Sequence, residues 1–204
     1  MTSQIDVLLA EDMHLVRGAL AALLSGEPDI SVVAEVANGD RILPAVLEHE
    51  PDVAVLDVDL PGIDGITAAS LIHEHRPGCA VLVLTALGRP TILRKAMAVD
   101  ALGFLVKDAA PTELAPAIRA VARGERVLDA KLAAAALRLR DNPLSEREMA
   151  VLRQAADGAD VKDIAERLFL SRGTVRNYLG IIVTKLDARN RLDAVRIATE
   201  HDWL

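Results

Sequence analysis

Several polar side chains follow short apolar runs and have the residue types needed to accept a phosphoryl group. Asp57 could act as the nucleophile, because a carboxylate can form a covalent phosphoryl intermediate. Lys107 could neutralise the charge that develops on the phosphoryl oxygens, and Thr85 could donate a hydrogen bond to one of them. The pair Glu11 and Asp12 adds two further carboxylates. Because crowded carboxylates repel one another, we expect Mg2+ as a cofactor, a hard ion that prefers carboxylates, water and phosphate oxygens.

The elements that must position these residues alternate along the chain. Short β-branched and aliphatic runs predict parallel strands buried on both faces, at residues 5–10, 53–56, 80–84 and 103–106. Helices are predicted at residues 13–25, 40–48, 65–75, 90–98 and 111–123. The pattern predicts five βα units in a doubly wound α/β sheet, in which ligands bind beyond the carboxyl ends of the strands. The polar residues would therefore converge on one crevice.

Each of these residues has a plainer interpretation when it is taken alone. An Asp after a strand is most often a turn former or a helix cap, and a Lys there is usually solvated. Their position after four separate predicted strands makes coincidence a poor explanation. Pro61 and Gly62 support the site, because they predict a tight loop that returns the backbone over Asp57.

With these residues in this order, residues 1–124 resemble the receiver domain of bacterial two-component response regulators. The matching stretches are residues 8–12, 56–62, 84–86 and 103–107. The resemblance implies a flavodoxin-like (βα)5 fold, with Asp57 phosphorylated by a cognate sensor histidine kinase. It also implies that Asp12, Asp57 and the main-chain carbonyl of Asp59 ligate Mg2+, while Glu11 acts through water.

The resemblance extends to a pair of switch residues. Thr85 and Phe104 match the two positions whose rearrangement reports phosphorylation in that family. Phe104 is more often tyrosine there, so an outward-facing hydroxyl contact is missing. Packing alone would then carry the switch.

A linker is predicted between the receiver-like part and a second domain. Gly124 is a helix stop signal, and the alanine-rich stretch that follows has high helix propensity. We therefore expect a partly helical linker over residues 125–142 and a second domain over residues 143–204. Pro116 conflicts with the fifth predicted helix, since a proline in a helix interior costs about 3 kcal/mol unless the helix kinks.

Residues typical of a helix N-terminus lie at the beginning of the second predicted domain. Ser145 and Glu148 form a capping box, which predicts a helix beginning there. An apolar stripe over residues 161–168 predicts another helix, and only two residues separate it from the N-cap candidate Ser171. Two helices joined by so short a turn predict a helix-turn-helix whose following helix faces DNA.

The helix after Ser171 divides into two faces by periodicity. Apolar residues at helical spacing predict an inward face of Val175, Leu179, Ile182 and Leu186. The outward face then carries Arg176, Asn177, Gly180 and Thr184. Arginine can contact guanine bidentately and asparagine can do the same with adenine, which makes base contacts plausible. Phosphate contacts are predicted for Thr174, Lys185, Arg189 and Arg191. A merely solvated helix face is the alternative, which the short preceding turn disfavours.

Charge is consistent with a local DNA-binding stripe. The chain carries a formal net charge of −7, yet residues 167–196 hold seven Lys or Arg against two Asp, a net of +5. Because phosphate neutralisation is a local effect, an acidic protein with such a stripe can still bind nucleic acid.

A second resemblance covers residues 143–204. The stretches 144–152, 163–168, 170–178, 185–186 and 190–195 look like the LuxR-type DNA-binding domain of the NarL/FixJ class. It implies an all-α four-helix domain with a helix-turn-helix, and promoter DNA and RNA polymerase as partners. Together the two resemblances imply that phosphorylation promotes a homodimer that binds DNA. Gly180 lies where some relatives place a base-contacting lysine, which leaves the operator sequence open.

Other classes of protein are less consistent with the sequence. Cys79 is the only cysteine, and no apolar run reaches the roughly 18 residues of a membrane span, so we expect a cytoplasmic protein without membrane insertion. We expect a phosphoryl acceptor with at most slow autodephosphorylation, not an enzyme. A phosphohydrolase is an alternative, since Asp57-Val-Asp59 matches the Asp-x-Asp pair of haloacid dehalogenase phosphatases, although that family carries the pair after its first strand. A receiver that binds DNA without phosphorylation is another.

Overall fold

The protein divides into two compact units, residues 1–138 and 139–204. The structure is a computed structural model that describes residues 4–138, 142–201 and 203–204. Within those ranges no helix is both long enough and apolar enough to span a bilayer.

A parallel sheet forms the centre of the first unit. Its strands are β1 (Ile5–Ala10), β2 (Ile30–Val36), β3 (Val53–Asp57), β4 (Ala80–Thr85) and β5 (Gly103–Val106). Their order in the sheet is β2-β1-β3-β4-β5, and all neighbours are parallel. This topology confirms the predicted doubly wound fold. The apolar runs of the sequence did not include β2, an edge strand whose residues are mostly only half-buried.

Helices connect the strands and cover both faces of the sheet. They are α1 (His14–Ser25), α2 (Ile42–His49), α3 (Gly65–His75), α4 (Pro90–Ala98) and α5 (Leu114–Ala122). Each agrees with its predicted range to within a turn at either end. Alternate residues of the strands divide the core into two layers, since Leu8 and Leu56 pack with α2, α3 and α4 whereas Leu9 and Val55 pack with α1 and α5.

The boundary of α5 accounts for Pro116. A 3-10 turn, Pro111–Glu113, precedes the helix, and α5 itself begins at Leu114. Pro116 therefore lies in the first turn of α5. The first four N–H groups of a helix have no acceptor within it, so a proline there forfeits no hydrogen bond and requires no kink.

The chain returns to the sheet after α5 before it forms a further helix. Val127 accepts a hydrogen bond from the N–H of Phe104 at 2.9 Å, beside the edge strand β5. Helix α6 (Ala130–Arg138) follows and packs against α4. Its residue Ala136 is only 3% exposed and belongs to the core layer of α4. This helix lies in the range for which the sequence predicts a partly helical linker.

The described residues of the second unit form four helices. They are α7 (Glu146–Ala156), α8 (Val161–Arg167), α9 (Arg172–Lys185) and α10 (Arg191–Glu200). At the start of α7, the N–H of Ser145 donates to Glu148 Oε2 at 2.6 Å and the N–H of Glu148 donates to Ser145 Oγ at 3.4 Å. The predicted capping box is therefore present.

A tight turn joins α8 to α9. Phe169 has a φ of +54°, in the left-handed region, and the N–H of Leu170 donates to Ala165 O at 2.9 Å. The hydroxyl of Ser171 then caps α9 by accepting the N–H of Thr174 at 3.0 Å. These features confirm the predicted helix-turn-helix.

Candidate functional site

Three carboxylates lie together at the carboxyl ends of β1 and β3. The two strands are neighbours, with Ala10 paired to Leu56, so the residues that follow them meet at the same edge. One oxygen from each of Glu11, Asp12 and Asp57 lies within 4.8 Å of the others. Glu11 and Asp57 are buried, whereas Asp12 is exposed. The structure therefore brings together three residues that the sequence placed in one crevice.

Lys107 reaches this cluster from a strand that is not adjacent to it. Its main chain is held after β5 by a 2.7 Å hydrogen bond from its N–H to Thr85 O. Its Nζ lies 2.7 Å from Glu11 Oε2 and 2.9 Å from Asp57 Oδ2. Burial alone would lower the pKa of Lys107, but the hydrogen bonds with Glu11 and Asp57 outweigh it and raise this pKa. The ammonium therefore stays charged between the two carboxylates.

The cluster has the composition of a divalent cation site. Asp57 Oδ1 is buried and has no hydrogen-bond donor among the residues that the structure describes. A buried carboxylate oxygen without a donor is costly, and a hard cation is a suitable partner for it. Three carboxylates and one ammonium leave two uncompensated negative charges, which matches the charge of Mg2+. The residues therefore fit the cofactor that the sequence predicts.

Asp59 lies apart from the three carboxylates. It is exposed in the loop after β3, and its side chain is not part of the acidic cluster found in the described ranges. Only its main-chain carbonyl was expected to act as a ligand, and that expectation stays a prediction.

The two predicted switch residues lie on neighbouring strands, β4 and β5. Thr85 ends β4, and its hydroxyl donates to Leu87 O at 3.0 Å and accepts the N–H of Leu87 at 3.3 Å. Phe104 pairs with Val83 in the β4–β5 ladder and is 4% exposed. The Thr85 hydroxyl is therefore hydrogen-bonded to the loop between β4 and α4.

A turn at residues 38–40, which the sequence analysis did not identify, is hydrogen-bonded to the loop after β3. Gly62 has a φ of +81°, and a Cβ at this position would lie 2.1 Å from Asp40 Oδ2. The N–H of Gly39 donates to Pro61 O at 2.9 Å, and Asn38 caps the turn through the N–H of Asp40 at 2.9 Å. The Asn-Gly-Asp string was the signal that could have indicated this turn.

Arg17 is a second residue near the site that the sequence did not indicate. Its Nη1 donates to the main-chain oxygen of Glu11 at 2.6 Å, and its Nε lies 3.6 Å from Glu35 Oε2. It therefore supports the backbone that carries two of the carboxylates. No local pattern marks it, because its partners depend on how α1 packs.

In the second unit, α9 has the two faces that periodicity predicts. Val175 and Ile182 are fully buried, Leu186 is buried and Leu179 is half-buried. The opposite face is exposed and consists of Arg176, Asn177, Gly180 and Thr184. The hydroxyl of Thr184 donates to Gly180 O at 3.1 Å, so this side chain is engaged with its own helix.

The four residues predicted to contact phosphates all have partners within the unit. Thr174 Oγ1 lies 2.8 Å from Ser171 Oγ, and Arg191 Nη1 donates to Ala159 O at 3.2 Å. Lys185 Nζ lies 2.8 Å from Glu148 Oε2, and Arg189 Nε lies 3.1 Å from Asp193 Oδ2. These contacts hold the four side chains in place, and the sequence pattern did not indicate them.

The pKa values of the two acidic partners, Glu148 and Asp193, are both lowered. Hydrogen bonds from Arg189 and Arg196 hold the pKa of Asp193 well below its usual range. Burial alone would raise the pKa of Glu148, but Lys185 and the main chain of Ser145 together lower it. Both carboxylates therefore remain ionised at neutral pH.

Comparison with known proteins agrees with the fold and the site. Residues 7–119 match the family model of the response regulator receiver domain, and residues 142–198 match that of the luxR family of bacterial regulatory proteins. Helix α6 lies between the two matched ranges. The chain therefore belongs to the two-component response regulators with a LuxR-type DNA-binding domain, the NarL/LuxR family.

Curated relatives and a solved structure extend over nearly the full chain. The uncharacterised transcriptional regulatory protein YvfU of Bacillus subtilis is 40% identical, covering 98% of this chain and 100% of the relative. The transcriptional regulatory protein DesR of the same organism is 37% identical, covering 98% of each. The response regulator RcsB in complex with DNA has a TM-score of 0.66 at 27% identity, covering 97% of this chain and 98% of the RcsB chain.

Proposed function

We propose that Asp57 accepts a phosphoryl group from a histidine of a cognate sensor kinase, and that this promotes homodimerisation and sequence-specific binding to promoter DNA. The observation that carries the proposal is Lys107, whose Nζ lies between two buried carboxylates, beside an Asp57 oxygen that has no donor within the described part of the chain. An oxygen of this kind is uncommon in a purely structural ion pair, because unsatisfied buried polar atoms are rare.

Asp57 and Lys107 have separate roles in the phosphoryl transfer. A carboxylate oxygen of Asp57 attacks phosphorus, the new O–P bond forms as the N–P bond of the donor histidine breaks, and the electron pair returns to the ring nitrogen. Lys107 neutralises the charge on the phosphoryl oxygens. Mg2+ would be held by Asp12, Asp57 and the carbonyl of Asp59, with Glu11 acting through water, and supplies further charge neutralisation when it is bound.

The Thr85 hydroxyl has to change partners for the switch to operate. In the structure it is bonded to the main chain of Leu87, and donation to a phosphoryl oxygen requires that it leave this acceptor. Recruiting Thr85 therefore removes both hydrogen bonds by which its hydroxyl holds the main chain of Leu87. Phe104 has no hydroxyl and can respond only by repacking within its core layer.

DNA recognition is assigned to the exposed face of α9. Arg176 and Asn177 are proposed to read base edges, on the same face as Gly180 and Thr184. Phosphate contacts are proposed for a second set, whose intramolecular partners hold its members in place: Thr174, Lys185, Arg189 and Arg191. Similarity to a protein solved with DNA supports this assignment. RNA polymerase is proposed as a further partner at the promoter.

The proposal is tested by treating the full-length protein with acetyl phosphate and Mg2+. We expect one acid-labile phosphoryl group on Asp57, a shift from monomer to dimer in sedimentation, and tighter binding to genomic DNA fragments selected by the treated protein. The Asp57→Ala variant should show none of these gains.

Two outcomes would favour the alternatives. Equal DNA affinity with and without acetyl phosphate would favour a receiver that binds DNA without phosphorylation. Continuous turnover of small phosphate esters would favour a phosphohydrolase, an activity that the relatives' description as transcriptional regulators does not suggest.

A further inference from the structure

Gly180 lies in the interior of α9, on the exposed face proposed to read DNA. A Cβ added at this position would have nothing within 4 Å, whereas one added at Gly65 would collide with the main chain of Asp57. The φ of Gly180 is helical and not in the left-handed region. Neither packing nor backbone conformation in the second unit therefore requires a glycine here, although glycine in a helix interior is destabilising relative to alanine.

Thr184, one turn further along the same face, uses its hydroxyl within the helix. The hydroxyl donates to Gly180 O at 3.1 Å, so its proton is not available to a partner. The methyl group is the other contact that this exposed side chain can offer. Ile181 is half-buried and adds a second apolar side chain at this place.

The surface around Gly180 is an open concavity of about 450 Å³. Polar side chains stand on two sides of it, with Arg176 and Asn177 towards the N-terminus of α9 and Lys185 at its last residue. Between them lie Gly180, Ile181 and Thr184. The face of α9 is therefore recessed and largely apolar between side chains that can donate hydrogen bonds.

We propose that this concavity receives the 5-methyl group of one thymine per half-site in the major groove of bound DNA. This inference rests on the proposed function. Thymine is the only one of the four bases that presents a methyl group there, and a threonine methyl is a suitable contact for it. Because position 180 has no side chain, the main chain of α9 can approach the base closely. The preference for thymine at this base pair then comes from apolar contact and not from a hydrogen bond.

Replacing thymine by uracil tests the contact directly, because it removes the methyl group and leaves base pairing unchanged. The DNA is a genomic fragment selected by the full-length protein treated with acetyl phosphate and Mg2+, and its thymines are replaced one at a time. We expect one replacement per half-site to weaken binding by about fourfold, the effect of losing one buried methylene-sized group. Equal affinity for the thymine and uracil forms at every position would overturn the inference.

Two substitutions of Thr184 isolate its methyl group. Thr184→Ser keeps the hydroxyl and removes the methyl, so the ratio of affinities for thymine and uracil at this base pair should fall towards one. Thr184→Val keeps a methyl and should retain most of the thymine preference, even where the overall affinity changes. If Thr184→Ser keeps the wild-type ratio, another residue reads the methyl group and the inference is wrong.

Gly180→Leu fills the concavity with a residue of high helix propensity. The second unit should melt about 2 to 6 °C higher when followed by Trp203 fluorescence. Affinity for the selected fragment should nevertheless fall by about tenfold, and the thymine preference at this base pair should be lost. Weaker binding by a more stable variant cannot be due to unfolding.

Gly18→Leu is the matched control for this substitution. Gly18 is an exposed glycine of α1, and a Cβ added there would also have nothing within 4 Å. This variant should keep the wild-type thymine preference. The same preference in Gly180→Leu would show that the concavity does not hold the methyl group.

The outcomes separate this inference from the proposed function. Selective DNA binding without any uracil effect leaves the proposed function intact and makes only the thymine contact wrong. Selective binding that does not depend on acetyl phosphate removes the proposed switch, while uracil replacement still decides the thymine contact. If no fragment is bound in preference to bulk genomic DNA, both are wrong.

Discussion

The ammonium of Lys107 should contribute to the stability of the folded protein through its contacts with the acidic cluster. The substitution Lys107→Met keeps much of the aliphatic stem but removes the charge that lies 2.7 Å from Glu11 Oε2 and 2.9 Å from Asp57 Oδ2. Removing one partner of a buried ion pair costs about 3 to 5 kcal/mol. Because the Lys107 side chain is 22% exposed, water weakens the effect, and we expect about 3 kcal/mol of lost stability.

A divalent cation should reverse much of this loss. Without the ammonium, the three carboxylates carry one more uncompensated negative charge, so Mg2+ should bind the variant more tightly than the wild type. At 100 times its dissociation constant, a ligand adds about 2.7 kcal/mol to the stability of the folded state. The stabilisation by Mg2+ should therefore be larger in Lys107→Met than in the wild type at any one concentration.

Hydrogen exchange at the amides of β1 and β3 measures this effect in the full-length protein, since these strands carry the cluster. Tryptophan fluorescence cannot do so, because the single Trp and the single Tyr, Trp203 and Tyr178, both lie in the second unit. Lys95→Met is the matched control, as it removes an exposed lysine on α4. Equal protection of Lys107→Met and the wild type without Mg2+, or equal stabilisation of both by Mg2+, would contradict a stabilising role for the Lys107 ammonium.

Three further predictions concern other parts of the molecule. Because folding lowers the pKa of Asp193, the ionised carboxylate stabilises the second unit above its ordinary pKa of 3.8, and this stability is lost as pH falls through the lowered value. Trp203 fluorescence should follow the loss of stability in acid, and Asp193→Asn should make the stability less dependent on pH in this range. Arg176→Ala should relax discrimination at one base pair by about 1 to 3 kcal/mol in competition binding, and an unchanged preference would contradict the base contact. Gly62→Ala should lower the melting temperature of the first unit through a loss of about 1 to 3 kcal/mol, whereas Gly78→Ala, with nothing within 4 Å of its Cβ, should not.

Local chemistry explains what could be predicted from the sequence. Continuous apolar runs predicted β1, β3 and β4, because central parallel strands are buried on both faces, and they also predicted the edge strand β5. The edge strand β2 mixes polar and apolar residues and carries no such signal. The capping box at Ser145 and the two faces of α9 were equally readable, since both depend on residues within a few positions of one another.

The partners of the functional side chains depended on the fold. Lys107 reaches Glu11 and Asp57 across β4, so its contacts follow from the strand order and not from any spacing in the chain. Lys185 and its partner Glu148 are 37 residues apart, and only the packing of α7 against α9 brings them together.

The sequence by itself determined which residue types could accept a phosphoryl group, bind a cation and face DNA, because strand ends, helix caps and helical periodicity are local properties. Tertiary structure alone decided that α6 packs against α4, that Lys185 pairs with Glu148 and that Arg191 donates to the main-chain oxygen of Ala159. These are long-range outcomes, since burial and ion pairing depend on which surfaces meet when the helices pack.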